Sequence, residues 1–155
     1  MKKLVAFLLF VLIAAAPAVA QNYASVTASV ANVRKGAGTS YPVKWRVWKY
    51  TPVIKIKTNE AKDWVLIKDF EGYQGWISAS LLGSTGAFAA TKDVNVRANP
   101  TASADILCTV KKGYPFKYVS QQGQWIQVLD NPEKASQGVC KGWVYAPNMW
   151  GFASK

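Results

Sequence analysis

Beyond residue 20, hydrophobic and polar positions alternate with the period of two that belongs to β-strands, in short runs broken by turn residues. Ala31 and Val33 alternate with polar neighbours, and Val94 and Val96 do the same later in the chain. The next run places Val43, Trp45 and Val47 on one face and Lys44, Arg46 and Trp48 on the other. Pro52 and Pro115 open a third strand, where the missing N–H is tolerated. Trp64 to Lys68 and Trp125 to Leu129 form a fourth, and a fifth carries Gly75-Trp76-Ile77 or Gly142-Trp143-Val144. The turn at 69–72 joins the last two strands in the first half; the second half replaces it with a longer insertion through 131–135. Non-strand turns at 78–80 and 146–148 end each half. No sustained 3.6-residue period occurs outside the N-terminus. Five short strands per half, with turn-rich joins, predict an all-β fold of small antiparallel barrels.

The halves are copies of one another. Asn32-Val33-Arg34 returns as Asn95-Val96-Arg97, 63 positions later, and Pro52-Val53 returns as Pro115-Phe116 at the same offset. Trp64-Val65 matches Trp125-Ile126 after a shift of two, and the Gly-Trp pairs match at an offset of 67. The repeat divides the chain into two units, 21–83 and 84–155. Units of about 60 residues have marginal cores and call for extra fastening. The join at 83–86 is short, so the units are expected to sit against each other.

The N-terminus follows a different pattern. Lys2 and Lys3 precede an unbroken apolar run over 4–16, and Ala18-Val19-Ala20 supplies a small-x-small cleavage signal. Residues 1–20 are therefore expected to be a signal peptide. The run is short for a membrane span, so no stable anchor is expected after cleavage. Export to a periplasm or to the outside changes the reading of Cys108 and Cys140. In an oxidising compartment they are expected to form a disulfide, the other reading being two buried thiols. Closing that loop contributes about 3–4 kcal/mol in the chain-entropy picture. The full chain carries +11, or +9 once Lys2 and Lys3 are gone. Such a protein is attracted to anionic envelope polymers, acidic lipid headgroups or acidic proteins; nucleic acid is not an expected partner outside the cytoplasm.

Asn32-Val33-Arg34, the loop after it and Tyr41-Pro42-Val43 resemble the opening of bacterial SH3-like (SH3b) domains. Trp64 and Gly75-Trp76-Ile77-Ser78 resemble that family's closing strands. The second unit is similar at Asn95-Val96-Arg97, Trp125 and Gly142-Trp143-Val144, but it has the insertion and lacks the Tyr-Pro pair. The resemblance implies five- or six-stranded recognition barrels, with cell-wall peptidoglycan as the expected ligand. The alternative partner is another exported protein, such as a wall enzyme. The acidic groove and tyrosine-rich motif that hold proline-rich peptides in eukaryotic relatives are not evident.

Aromatics that recur in register belong to the fold: Trp64 with Trp125 and Trp76 with Trp143 are expected in or at the edge of the core. Arg34 and Arg97 are expected to pin the loops that follow them. Aromatics without a counterpart in the second unit are the ligand candidates: Tyr41, Trp48, Tyr50 and Phe70, with Lys44 and Arg46 beside Trp48. An indole flanked by cations grips a glycan, a peptide or an anion; the competing reading packs Trp48 against the other unit. Trp150 and Phe152 point more strongly to that interface. Cys108 falls in the register of Trp45 and Cys140 in that of Tyr73, so the disulfide is expected to replace a Trp45–Tyr73 contact. Catalysis has little support. The chain has no histidine, which removes the usual base for a nucleophile and the commonest metal ligand. Asp69 and Glu71 read as solvated turn residues. No enzyme activity, cofactor or metal is expected.

Overall fold

The computed structural model describes residues 22–131 and 139–154. Residues 1–20, expected to be a signal peptide, and most of the second unit's insertion lie outside the described residues. In the first unit the strands are β1 (Tyr23–Val26), β2 (Val30–Arg34), β3 (Val43–Trp48), β4 (Pro52–Thr58), β5 (Trp64–Lys68), β6 (Gln74–Ser78) and β7 (Leu82–Gly83). In the second they are β8 (Ala87–Ala90), β9 (Val94–Arg97), β10 (Ile106–Val110), β11 (Pro115–Gln122), β12 (Trp125–Leu129), β13 (Lys141–Tyr145) and β14 (Met149–Phe152). Short 3-10 turns at Ala79–Leu81 and Ala146–Asn148 precede the last strand of each unit. Among the described residues no helix is long and apolar enough to cross a membrane.

The two sheets repeat one topology. The first runs β3-β2-β6-β5-β4-β1-β7 and the second β10-β9-β13-β12-β11-β8-β14. Each unit thus has seven strands where the alternation predicts five, and the hydrogen-bonded ladder stays open, with β3 and β7, or β10 and β14, as its ends. Three of the four added strands escaped the pattern for a physical reason. β1 and β8 are buried at three of their four positions, so they show no polar alternation, and β7 is two residues long.

The inward positions build one core per unit. Val33, Val47, Val53, Val65, Ile67 and Ile77 fill the first. Val96, Val110, Phe116, Ile126, Val128 and Val144 fill the second. Strand period then turns the four repeated tryptophans outward. Trp64, Trp76 and Trp125 are half-buried on the outer face, outside both cores, and Trp143 is buried there.

A bulge corrects the expected faces of β3. Val33 pairs with Trp45 but Arg34 pairs with Val43, so Lys44 is an extra residue in the ladder. Val43 is consequently exposed instead of joining Val47 in the core. Lys44 leaves the side of Arg46 and Trp48; its Nζ donates to the Gln74 carbonyl at 2.5 Å and lies 5.3 Å from the Trp45 ring centre. The second unit repeats the bulge at Leu107, between Ile106 and Cys108.

Cys108 and Cys140 form a disulfide with a Cα–Cα distance of 6.3 Å. Their registers correspond to those of Trp45 and Tyr73. Cys108 pairs with Val96 as Trp45 pairs with Val33, and the bond from Asp69 N–H to the Tyr73 carbonyl recurs from Asp130 to Cys140. The expected Trp45–Tyr73 contact is not seen as a ring pairing, and the two side chains face different surroundings. Trp45 packs inward over Gly75, while Tyr73 is 62% exposed.

Candidate functional site

An open groove of about 690 Å³ lies on the outer face of the second unit. Because Ile126, Val128 and Val144 point inward, their strand neighbours Trp125 and Tyr145 point outward. These two are direct cross-strand partners, with ring centres 5.5 Å apart and planes inclined at 58°. The Tyr145 hydroxyl donates to Gln124 Oε1 at 3.0 Å, which fixes the ring's outer end. Asn95 and Arg97, alternating with buried Val94 and Val96, add polar lining from β9. Pro100, Thr101 and Ala102 contribute the loop side. That loop is held by Arg97, whose Nη1 donates to the Ala104 carbonyl at 2.8 Å.

Charge closes one end of the groove. Asp93 accepts from Lys111 Nζ at 2.7 Å and from the Lys112 backbone N–H at 3.1 Å. These bonds hold its carboxyl below the usual carboxylate range and hold Lys111 above the usual ammonium range. Lys92 and Asn148 complete the lining. The site combines an aromatic pair for stacking with amide and charged groups for hydrogen bonding, the combination that grips an extended polar ligand. Among the described residues no group of three or more potential ligand side chains is placed to hold a metal ion.

The first unit repeats the frame with different furniture. Arg34 Nη1 donates to the Tyr41 carbonyl at 2.8 Å, as Arg97 does to Ala104. Trp64 stands where Trp125 does, but its cross-strand partner is Ser78 instead of a tyrosine. Val30 takes the place of Asp93. At the same 67-residue offset Tyr145 stands opposite Ser78, an aromatic of the second unit with no counterpart in the first.

The six ligand candidates do not converge on one site. Tyr41 lays its ring against the loop at Gly36 and Gly38. Lys44 is folded back over Trp45. Arg46 and Trp48 remain on the outer side of β3, and Trp48 is 45% exposed. Tyr50 adopts a left-handed φ of 66° and lines a recess shared with Thr85 and Lys117 of the second unit. Phe70 is half-buried between the units, with Trp150 at 6.4 Å and the Lys112 ammonium 5.7 Å from its ring centre. Glu71 is no free turn residue, since it pairs with Lys112, raising that ammonium's pKa. Asp69 does serve its own turn, accepting from the Glu71 and Tyr73 N–H groups.

A second concavity of about 250 Å³ opens between the units. Trp48 supplies one wall, and Lys111, Lys112, Gly113, Tyr114 and Pro115 supply the rest. The Tyr114 hydroxyl donates to Asp130 Oδ2 at 2.7 Å, and burial followed by that bond pushes its pKa well above the usual range.

Comparison with known proteins agrees with this duplicated architecture. The bacterial SH3 domain family matches residues 27–83 and again residues 92–149. The chain belongs to that family and carries two such domains in tandem. It is 28% identical over 123 residues to YrvJ of Bacillus subtilis (strain 168), a protein named as an N-acetylmuramoyl-L-alanine amidase; the match covers 70% of this chain and 23% of that protein. The chain therefore spans under a quarter of that relative's length. Among solved structures it is similar to an NlpC/P60 family protein from Bacillus cereus ATCC 10987, at 15% identity and TM-score 0.38, covering 85% of this chain and 57% of that one. It is also similar to NlpC2 from Trichomonas vaginalis, at 11% identity and TM-score 0.36, covering 84% and 48%.

Proposed function

We propose that this protein is a non-catalytic, exported envelope-binding protein that recognises peptidoglycan or another wall polymer. The observation that carries the reading is the open Trp125–Tyr145 groove on a bacterial SH3 domain. Its open form, volume and mixed lining suit an extended chain of sugars or amino acids better than a compact metabolite. The amidase name of the Bacillus relative supports a wall setting. The Cys108–Cys140 disulfide suits an oxidising compartment, periplasmic or external. The groove belongs to the second unit, so the main contact moves there from the first unit's aromatic and basic stripe.

Co-sedimentation of the protein with purified, protein-free sacculi across rising salt tests this, beside a Trp125→Ala variant. The expected result is binding that persists at moderate salt and weakens at least about tenfold in the variant, as for an aromatic anchor. Binding that disappears with salt and ignores the variant reduces the interaction to a +9 protein adhering to an acidic polymer. No sedimentation at any salt leaves docking on another exported protein as the function.

A further inference from the structure

We propose that the slot between the two units is a second ligand site, built for a sugar ring that carries an anionic substituent. The proposal rests on the wall reading for its setting and on separate residues for its chemistry. Equivalent turns of the two repeats contribute here. The Thr51 N–H donates to the Trp48 carbonyl at 2.9 Å in one, and the Tyr114 N–H to the Lys111 carbonyl at 3.1 Å in the other. Trp48 comes from the first unit and the facing turn from the second, so neither unit holds the site alone.

The walls are apolar. Trp48 offers an indole, Pro115 a saturated ring, and nothing stands within 4 Å of where a Gly113 side chain would begin. A volume near 250 Å³ suits one ring, not a chain. The C–H face of a pyranose stacks on an indole, whereas a flexible aliphatic chain gains less from a flat wall. The rim, by contrast, is cationic. Lys111 and Lys112 both line the slot, and the Lys111 side chain is 85% exposed. Their present partners, Asp93 and Glu71, are surface carboxylates 52% and 39% exposed. Exposed pairs of that kind are weak and exchange readily. A carboxylate or phosphate on a ring stacked against Trp48 can therefore recruit an ammonium without breaking the fold.

The test follows the Trp48 indole N–H and the Gly113 amide by NMR while glucuronic acid, glucose 6-phosphate or glucose is titrated into the full protein. Saturable shifts with one or both anionic sugars, and affinity for glucose at least about tenfold weaker, are expected. Response to glucuronic acid alone assigns a carboxylate ligand, and response to glucose 6-phosphate alone a phosphate one. Trp48→Ala should weaken binding while leaving the remaining amide spectrum in place, and Lys111→Ala should weaken it with amide shifts confined to the neighbourhood of Asp93. Trp48 is well exposed, so its loss keeps the fold even if Lys111→Ala disturbs Asp93. Equal response to glucose, or no response to any sugar, overturns the proposal; so does a glutamate-rich peptide that displaces the anionic sugars with higher affinity. Trp125→Ala separates the two readings. Sugar binding that survives this variant while sacculus binding is lost supports two sites. Sugar binding by a protein that never sediments with sacculi removes the wall reading alone, and sedimentation without sugar binding removes this inference alone.

Discussion

Lys62 occupies a left-handed backbone conformation, φ 59°, in the turn closed by its N–H donating to the Asn59 carbonyl at 3.1 Å. The corresponding position of the second unit, 61 residues on, is Gly123 at φ 54°. The same contrast separates Tyr50, φ 66°, from Gly113, φ 84°. A side chain in that region costs about 1–2 kcal/mol, against about 0.5–1 kcal/mol for the extra unfolded-state freedom of glycine. Lys62 is exposed and has no packing to lose. Lys62→Gly should therefore stabilise the first unit by about 0.5–1 kcal/mol, seen as a higher urea midpoint at unchanged slope. A lower midpoint would show that the lysine earns its place by contacts, not tolerance. Tyr50→Gly should bring no such gain, because Tyr50 is half-buried beside the second unit.

Among the elements, the repeated glycine before each outward tryptophan explains how the first strand of each motif meets the last. A Cβ on Gly142 in β13 would stand 2.5 Å from the Arg97 carbonyl oxygen, and one on Gly75 in β6 would stand 2.5 Å from a Val33 methyl but 3.1 Å from the Arg34 carbonyl. A methyl group can shift more cheaply than a backbone carbonyl. Gly142→Ala should accordingly cost about 2–3 kcal/mol in chemical denaturation and Gly75→Ala about 1–2 kcal/mol, within the usual range for overpacking. Equal costs would mean that the strands, not the side chains, absorb the strain. The Gly-Trp repeat was visible in the sequence, as were β5 and β12 to the residue, because half-buried strands advertise themselves by alternation and two copies confirm each other's register. β1 and β8 were not legible, since burial on nearly every position erases the period, and the two-residue β7 is too short to show one. The faces of β3 were misjudged because one bulge residue, Lys44, shifts every side chain before it, and a bulge leaves no mark in a hydrophobic pattern. The groove was half legible: Asn95, Arg97 and Trp125 stood out as repeats, which argued for structure, whereas Tyr145 is set apart only by its contrast with Ser78.

At the scale of the whole molecule, the short join predicted close units, and the structure supplies the contacts that hold them. Tyr23 of β1 meets Trp150 edge-on at 5.2 Å and stacks on Phe152 at 5.4 Å, both from β14. Phe70 approaches the same Trp150, and buried Ser25 donates to the Thr85 carbonyl at 2.7 Å across the join. This seam matters for function because the Trp48 slot exists only while the units stay docked, whereas the Trp125–Tyr145 groove lies within one unit. Trp150→Ala removes the ring that touches both Tyr23 and Phe70, at a cost of about 2 kcal/mol for a half-buried indole, below the range for a fully buried one. The intact protein should unfold in one calorimetric transition and the variant in two, the disulfide-braced second unit melting later. Anionic sugars should then lose affinity for Trp48 in the variant while sacculus binding through the groove is retained. If Trp150→Ala leaves a single transition and undiminished sugar binding, the units are coupled through the Lys112–Glu71 pair and the join instead, and Lys112→Ala becomes the change that parts them.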